Sequence, residues 1–227
     1  MKLSIIIPCF NEQDTIEALL NKLLAVNFGS WKREVIVVDD GSTDNSLDNI
    51  KQFKSSIKLL KHKVNMGKGS AIQTGLKHAT GDAVVVQDAD LEYDPNDLPK
   101  LLKEFEKGRA DIIFGSRSNS LSKKDYLLYI WGINFSTFLI NLLYGCRLTD
   151  IYTCYKLYRT DLFKLTHAKA SGFEWDIEMI VKLLKKGYKI SEVSINYHPR
   201  NILEGKKIRP WDGILGLWVI IKERIIN

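Results

Sequence analysis

The sequence predicts an α/β protein with a mostly parallel central sheet and helices on both faces. Three observations carry that expectation. Short apolar runs rich in β-branched residues recur through the first 117 residues. Segments with helical spacing separate them, and such alternation calls for parallel strands joined by crossover helices. Four of the runs end in clustered acids or an arginine: Asn11 and Glu12, Asp39 and Asp40, Asp88 and Asp90, and Arg117. In sheets of this kind ligands bind beyond the carboxyl ends of the strands.

Residues 3–10, LSIIIPCF, form the first strand. Residues 11–26 place Ile16, Leu19, Leu20, Leu23 and Leu24 at helical spacing. REVIVVDDGS (33–42) is a second buried strand ending in a turn, and Ser42 or Thr43 caps a helix running to about Phe53. SIKLLKH (56–62) is a third strand and residues 67–80 a helix. GDAVVVQDADLEY (81–93) is a fourth strand, Asp94-Pro95 opens the next helix, and ADIIFGSR (110–117) is a fifth strand. The second half reads differently. Residues 125–145 are strongly apolar but interrupted by Asn134, Ser136, Thr137 and Asn141. TCYKLYR (153–159) is strand-like, residues 174–187 form an amphipathic helix with a Gly stop, and residues 188–199 alternate like a strand. Residues 201–210 form a basic loop, and residues 211–226 a second apolar helix. No repeat or linker divides the chain, so a single domain over 1–227 is expected, with a first half at 1–117 and a second at 118–227.

The composition, 45% hydrophobic and 26% charged over 227 residues, excludes disordered and low-complexity classes. Cys9, Cys146 and Cys154 form no close pair, which argues against a disulfide framework or structural zinc and fits a reducing compartment. No signal peptide is expected, and no charge-free apolar run reaches the length of a membrane span. The formal net charge of +6 suits nucleic acid, an anionic membrane or a phosphorylated substrate without choosing among them.

Asp88-Ala89-Asp90 places two carboxylates at i and i+2, where a strand gives way to loop. Such a pair suits a hard cation, magnesium or manganese, that shares its coordination with substrate phosphates. A solvated acid pair is the plainer alternative. Asp39 can accept a bond from a ribose hydroxyl or a base N–H, although Asp-Gly-Ser is also good turn chemistry by itself. Asn65-Met66-Gly67-Lys68-Gly69 lacks full P-loop spacing, but Lys68 can reach an anion from a helix start. Arg117, Arg200, Lys206, Lys207 and Arg209 are the basic residues available for phosphate; for Arg209 a solvated role is preferred. His62, His78, His167 and His198 have no metal-ligand spacing and are read as structural or surface residues.

IIIPCFNE, VIVVDDGSTD, NMGKGSA, QDADLEYDP, GSR, LTD and TCYK occur in the order and spacing of family 2 glycosyltransferases. Over nearly the whole chain the sequence resembles the dolichyl-phosphate mannose synthases and bacterial polyprenyl-phosphate glycosyltransferases of that family. The resemblance implies a GT-A fold and inverting, metal-dependent transfer of a hexose from a nucleotide-diphosphate sugar to a polyprenyl phosphate. It implies that the first half, 1–117, binds the nucleotide sugar and the second, 118–227, the acceptor. It implies Pro8, Phe10, Glu12 and Asp39 at the nucleotide pocket, with Lys68, Asp88 and the Ala89 backbone beside them. It assigns metal binding to Asp88 and Asp90, catalytic roles to Asp150 and Arg117, and phosphate binding to Arg117, Arg200 and Lys206. Phe10 stands where tyrosine is common, Glu92 where the mannose synthases carry Ser or Gln, and residues 129–134 lack an arginine some relatives have.

The resemblance also implies peripheral contact with the cytoplasmic face of a membrane, no nucleic-acid partner, and room for a membrane-anchoring partner subunit. Residues 126–144 and 211–226 then become interfacial helices, with Trp131, Trp211 and Trp218 at headgroup depth. Three rival readings are transfer to a saccharide hydroxyl, nucleotidyl transfer, and a basic nucleic-acid-binding module. The last is disfavoured by acids that repel phosphate.

Overall fold

A computed structural model describes residues 1–118, 127–166, 168–200 and 210–225. Its centre is a seven-stranded sheet in the order β3-β2-β1-β4-β6-β5-β7. The strands are β1 Lys2–Cys9, β2 Lys32–Asp39, β3 Lys58–Lys61, β4 Ala83–Val86, β5 Ile112–Ser116, β6 Lys156–Arg159 and β7 Ile190–Ser194. β1 pairs in parallel with β2 and β4, β2 with β3, and β5 with β7. β6 lies between β4 and β5 and runs antiparallel to both. The carboxyl ends of β1, β2, β4, β5 and β7 therefore meet at one edge, together with the segment leading into β6.

Helices cover both faces. On one, α1 (Ile16–Ala25) and α4 (Leu98–Phe105) pack against the sheet. Ile16, Leu19, Leu20 and Leu23 form a fully buried i, i+3, i+4, i+7 stripe against Ile5, Ile7, Val35 and Val37. Burying each such side chain contributes about 1.5–3 kcal/mol, so this stripe holds α1 in place. A 3-10 turn, Pro95–Asp97, leads into α4; the Asp94 carboxylate caps it by accepting from the Asn96 amide at 2.9 Å. On the other face, α3 (Lys68–Leu76) sets Ala71 against Ile36 and Val38. α7 (Glu174–Lys185) buries Trp175, Ile177, Met179, Ile180, Val181 and Leu183 there. α2 (Ser46–Lys51) and α6 (Thr160–Thr166) are short connectors.

α5 (Leu127–Tyr144) and α8 (Pro210–Ile225) are neighbours, joined by the Tyr144 hydroxyl donating to the Ile220 carbonyl at 2.8 Å. α5 inverts the usual pattern. Its inner face carries Ile133 and Ile140 together with Ser136 and Thr137, all buried, while Trp131, Phe135, Phe138 and Leu142 are exposed. Asn141 is satisfied internally by Leu148, donating to its carbonyl and accepting from its amide, both at 2.8 Å. On α8, Trp211, Ile214, Trp218, Ile221 and Ile225 form an exposed stripe. Among the described residues no helix is long and apolar enough to cross a membrane.

Each expected strand and helix of the first half is present, most with ends shifted by a few residues, but the strand expected over 81–93 is confined to Ala83–Val86, so Asp88 and Asp90 lie in the loop beyond it. Two features of the second half also differ from the sequence reading. Thr160–Thr166 forms a helix where none is expected, and the strand of residues 188–199 ends at Ser194. Beyond it, among the described residues, the Ile195 amide still donates to the Ser116 carbonyl at 3.1 Å, and Tyr197 forms an isolated bridge to Tyr93.

Candidate functional site

The site begins where β1 and β2 end. Asn11 takes a left-handed conformation (φ 51°) and turns the chain from β1 toward α1. Its side chain is tied to Thr43, accepting from the Thr43 amide at 2.8 Å, and the Glu12 amide donates to Ser46 Oγ at 2.7 Å. Pro8 and Phe10 are half-buried and Glu12 is buried beside them. Asp39 is completely buried; one carboxylate oxygen accepts from the Ser42 amide at 3.3 Å and the other has no hydrogen-bond partner. A buried carboxylate oxygen left unsatisfied is costly.

Asp40, the next residue, points the other way. It takes His62 Nδ1 at 2.6 Å and accepts the amides of Met66 at 3.0 Å and Gly67 at 2.9 Å. His62 Nε2 in turn meets Thr74 Oγ1 at 2.9 Å. Gly41 makes this possible, because a Cβ there would lie 2.5 Å from the Val64 carbonyl carbon. The amides of residues 66 and 67 are thus turned inward to Asp40 rather than outward to a phosphate. Lys68, at the start of α3, reaches Asp88 Oδ1 at 2.5 Å.

Past β4, Asp88, Ala89 and Asp90 stand at the rim, with Leu91 in a left-handed conformation (φ 62°) that turns the chain. Ala89 is buried. Burial opposes ionisation of Asp88, yet Lys68 holds its pKa below the usual value. Burial, with Asp88 and Glu92 close by, pushes Asp90 up to about 7 against the opposing pull of Arg200. Arg200 lies across the cluster. It reaches Glu12 at 3.1 and 3.3 Å, Asp90 Oδ2 at 3.0 Å and Glu92 Oε1 at 3.6 Å.

Glu92 is buried and anchors the chain beyond β7. It accepts the Tyr197 hydroxyl at 2.5 Å and the Arg200 amide at 3.0 Å, and its carbonyl accepts the His198 amide at 2.9 Å. The Tyr197 ring lies 4.8 Å from the Arg117 guanidinium. Arg117 is not an open anion-binding group in this structure. It is buried, and Asp150 binds it at 2.6 and 2.9 Å. Asp150 is itself placed by Glu192 on β7, which accepts the Thr149 amide at 2.9 Å and the Asp150 amide at 3.3 Å. Lys206, Lys207 and Arg209 lie outside the described residues.

Three features escape the sequence reading. His62 is a half-buried partner of Asp40. Glu92 and Tyr197 form an anchor. On β6, fully buried Lys156 pairs with Asp176 of α7 and donates to the Thr153 carbonyl at 2.5 Å. A lysine inside the apolar run TCYKLYR was the available sign of a buried ion pair.

Four carboxylates, Glu12, Asp88, Asp90 and Glu92, face two cations, Lys68 and Arg200. This surplus of hard oxygen donors suits a divalent cation. Among the described residues no three His, Cys, Asp or Glu side chains are arranged to hold a metal by themselves. That is compatible with magnesium or manganese, which bind through one or two carboxylates and complete their coordination with substrate phosphates and water.

A doubly wound sheet with acids at its carboxyl edge and an orphaned carboxylate oxygen beneath defines the class: an α/β protein with a polar site beyond its strand ends. Residues 4–166 match the Glycosyl transferase family 2 profile, and the chain belongs to that family. It is 28% identical over 209 residues to a dodecaprenyl-phosphate galacturonate synthase of Rhizobium johnstonii, covering 88% of this chain and 60% of that protein. It is 37% identical over 123 residues to a dolichol-phosphate mannosyltransferase of Pyrococcus furiosus, covering 52% of this chain and 33% of that protein. The chain thus spans less than two thirds of either relative. An uncharacterized protein of Methanocaldococcus jannaschii is 30% identical over 206 residues, covering 85% of this chain and 87% of that one. The fold is that of GT-A glycosyltransferases. A solved structure of glucosyl-3-phosphoglycerate synthase from Mycobacterium tuberculosis, in complex with Mn2+, uridine diphosphate and phosphoglyceric acid, superposes with a TM-score of 0.76. The identity is 21%, with 100% of this chain and 79% of that one covered.

Proposed function

We propose that the protein transfers a hexose from a nucleotide-diphosphate sugar to a polyprenyl phosphate at the cytoplasmic face of a membrane, inverting the anomeric centre. The observation that carries this reading is the convergence of Asp88, Asp90 and Glu12 at the sheet edge, beside the unpartnered oxygen of Asp39. Asp39 accepts a base N–H or a ribose hydroxyl in a pocket walled by Pro8, Phe10 and Glu12, and the Ala89 backbone lies along the nucleotide. Asp88 and Asp90 would hold magnesium or manganese, which when bound supplies positive charge to the departing diphosphate. Lys68 keeps Asp88 ionised, and Arg200 and Lys206 bind the diphosphate.

A polyprenyl phosphate is already anionic near neutral pH, so its oxygen needs positioning rather than deprotonation. That oxygen attacks the anomeric carbon from the face opposite the diphosphate. One C–O bond forms as the other breaks, which inverts the centre, and no proton has to move. The buried Arg117–Asp150 pair does not meet the acceptor directly; it fixes the end of β5 against the segment before β6, beside the rim.

The acceptor class is supported by the printed names of two relatives and by the exposed stripes of α5 and α8. A helix that buries Ser136 and Thr137 while exposing Trp131, 73% accessible, is built to face an apolar medium. A membrane-anchoring partner subunit would use the same stripes. The test is a donor screen with magnesium or manganese against polyprenyl phosphate in detergent or vesicles. The expected product is a lipid-linked sugar released by mild acid, as a phosphodiester-linked sugar is; an acid-stable glycoside would point to a saccharide hydroxyl instead.

A further inference from the structure

We propose that Arg200 sets the order of binding: it occupies the metal-binding oxygen of Asp90 until a nucleoside diphosphate draws it away, so the divalent cation enters only together with the diphosphate. The inference rests on the nucleotide-sugar reading above.

Asp90 has two carboxylate oxygens, and they are not equivalent. Oδ1 is turned inward and accepts the Glu92 amide at 3.1 Å. Oδ2 is therefore the oxygen available to a cation, and Arg200 holds it at 3.0 Å. The same guanidinium reaches both oxygens of Glu12 and approaches Glu92. A guanidinium and a divalent cation cannot share Asp90 Oδ2 without strong mutual repulsion at short range.

The backbone around Arg200 is anchored independently of its guanidinium. Glu92 accepts the Arg200 amide, Tyr197 bonds the same carboxylate, and the His198 amide bonds the Glu92 carbonyl. The side chain can then change partners while its Cα stays at the rim. Arginine binds phosphate in the two-point manner it uses for carboxylates. A diphosphate arriving at the rim offers it anionic oxygens, and the cation takes over Asp90. Asp90 keeps a counter-charge throughout. By linkage, metal and nucleotide then strengthen each other's binding by the same factor. Asp88 carries its own counter-cation, Lys68, but that lysine sits on a regular helix.

The test measures Mn2+ binding to the full chain by calorimetry, with and without UDP or GDP, for the wild type, Arg200→Gln and Arg200→Lys. Thermal midpoints verify that each variant is folded. Without nucleotide, Arg200→Gln should bind Mn2+ at least about ten-fold more tightly than the wild type, in line with removing one adjacent positive charge. Arg200→Lys, which keeps the charge, should stay near the wild type. The factor by which the nucleotide strengthens Mn2+ binding should be smaller in Arg200→Gln than in the wild type. Equal Mn2+ affinity of the wild type and Arg200→Gln overturns the exclusion while leaving the metal site standing, and so does a Lys variant that behaves like the Gln variant. Mn2+ binding to none of them, even with UDP or GDP, removes the metal reading itself.

Discussion

Arg117 and Asp150 meet in a two-point ion pair, Nε to Oδ2 at 2.6 Å and Nη2 to Oδ1 at 2.9 Å. The Arg117 amide adds a third bond to Asp150 at 3.2 Å. Burial opposes the Asp150 charge, yet the guanidinium holds its pKa below the usual value. The pair joins the end of β5 to the segment before β6. Removing one member strands the other's charge in the interior, so Asp150→Asn or Arg117→Gln should cost about 3–5 kcal/mol. Urea midpoints of the single variants and the double variant measure it. The double variant should lose less than the sum of the singles; simple additivity would show that the two side chains are not coupled.

Acid stability should depend on Glu34. Burial alone would raise its pKa, but bonds from Lys2, Ser4 and Thr80 bring it down to about 2. Lys2 Nζ lies at 2.8 Å, Ser4 Oγ at 2.5 Å and the Thr80 amide at 2.8 Å. The unfolded chain, with the ordinary value of 4.5, takes up the proton first. The stabilisation is therefore complete above that value and is lost as pH falls toward the folded one. The stability difference between wild type and Glu34→Gln should shrink between pH 6 and about pH 3. A constant difference across that range would exclude Glu34 as the titrating group.

His62 should act on nucleotide binding through Asp40. His62→Ala removes one of three bonds to the Asp40 carboxylate, the others being the amides of Met66 and Gly67. The turn that places Lys68 then loosens. A stability loss of about 1–3 kcal/mol is expected from the stranded polar partners. The KM for the donor should rise more than kcat falls. A fall in kcat alone, at unchanged KM, would contradict this positioning role.

The exposed stripes of α5 and α8 should govern lipid binding. Replacing Trp131, Phe135, Trp218 and Ile221 together by Ser removes side chains that are 73, 54, 57 and 45% accessible. Each buried large apolar group is worth about 1.5–3 kcal/mol, so sedimentation with anionic vesicles should fall more than about a hundred-fold. The urea midpoint should fall far less than vesicle binding does, because none of the four lies among the buried residues of the core. Undiminished sedimentation would assign the stripes to another partner.

The first half was legible because its logic is local. Apolar runs such as Val35–Val38 and Ala83–Val86 have strand length, and the first acids, Asp39 and Asp88, stand one and two positions after them. The antiparallel insertion of β6 between β4 and β5 was not, since strand order is a long-range property that Lys156–Arg159 does not carry. The site shows the same division. Asp88 and Asp90 announce themselves by spacing, whereas the pairing of Arg200 with Glu12 joins residues 188 positions apart. Arg117 resembled an open anion binder because its sequence neighbours are polar, and only the fold brings Asp150 against it.

The central claim is that Asp88 and Asp90 hold the cation that neutralises the departing diphosphate. Sugar transfer by Asp90→Asn, measured with Mn2+, the preferred donor and polyprenyl phosphate, tests it most directly. Turnover should fall at least about a thousand-fold, as expected on losing transition-state charge stabilisation, with no drop in thermal midpoint. Turnover within about two-fold of the wild type, in a folded variant, would contradict the claim.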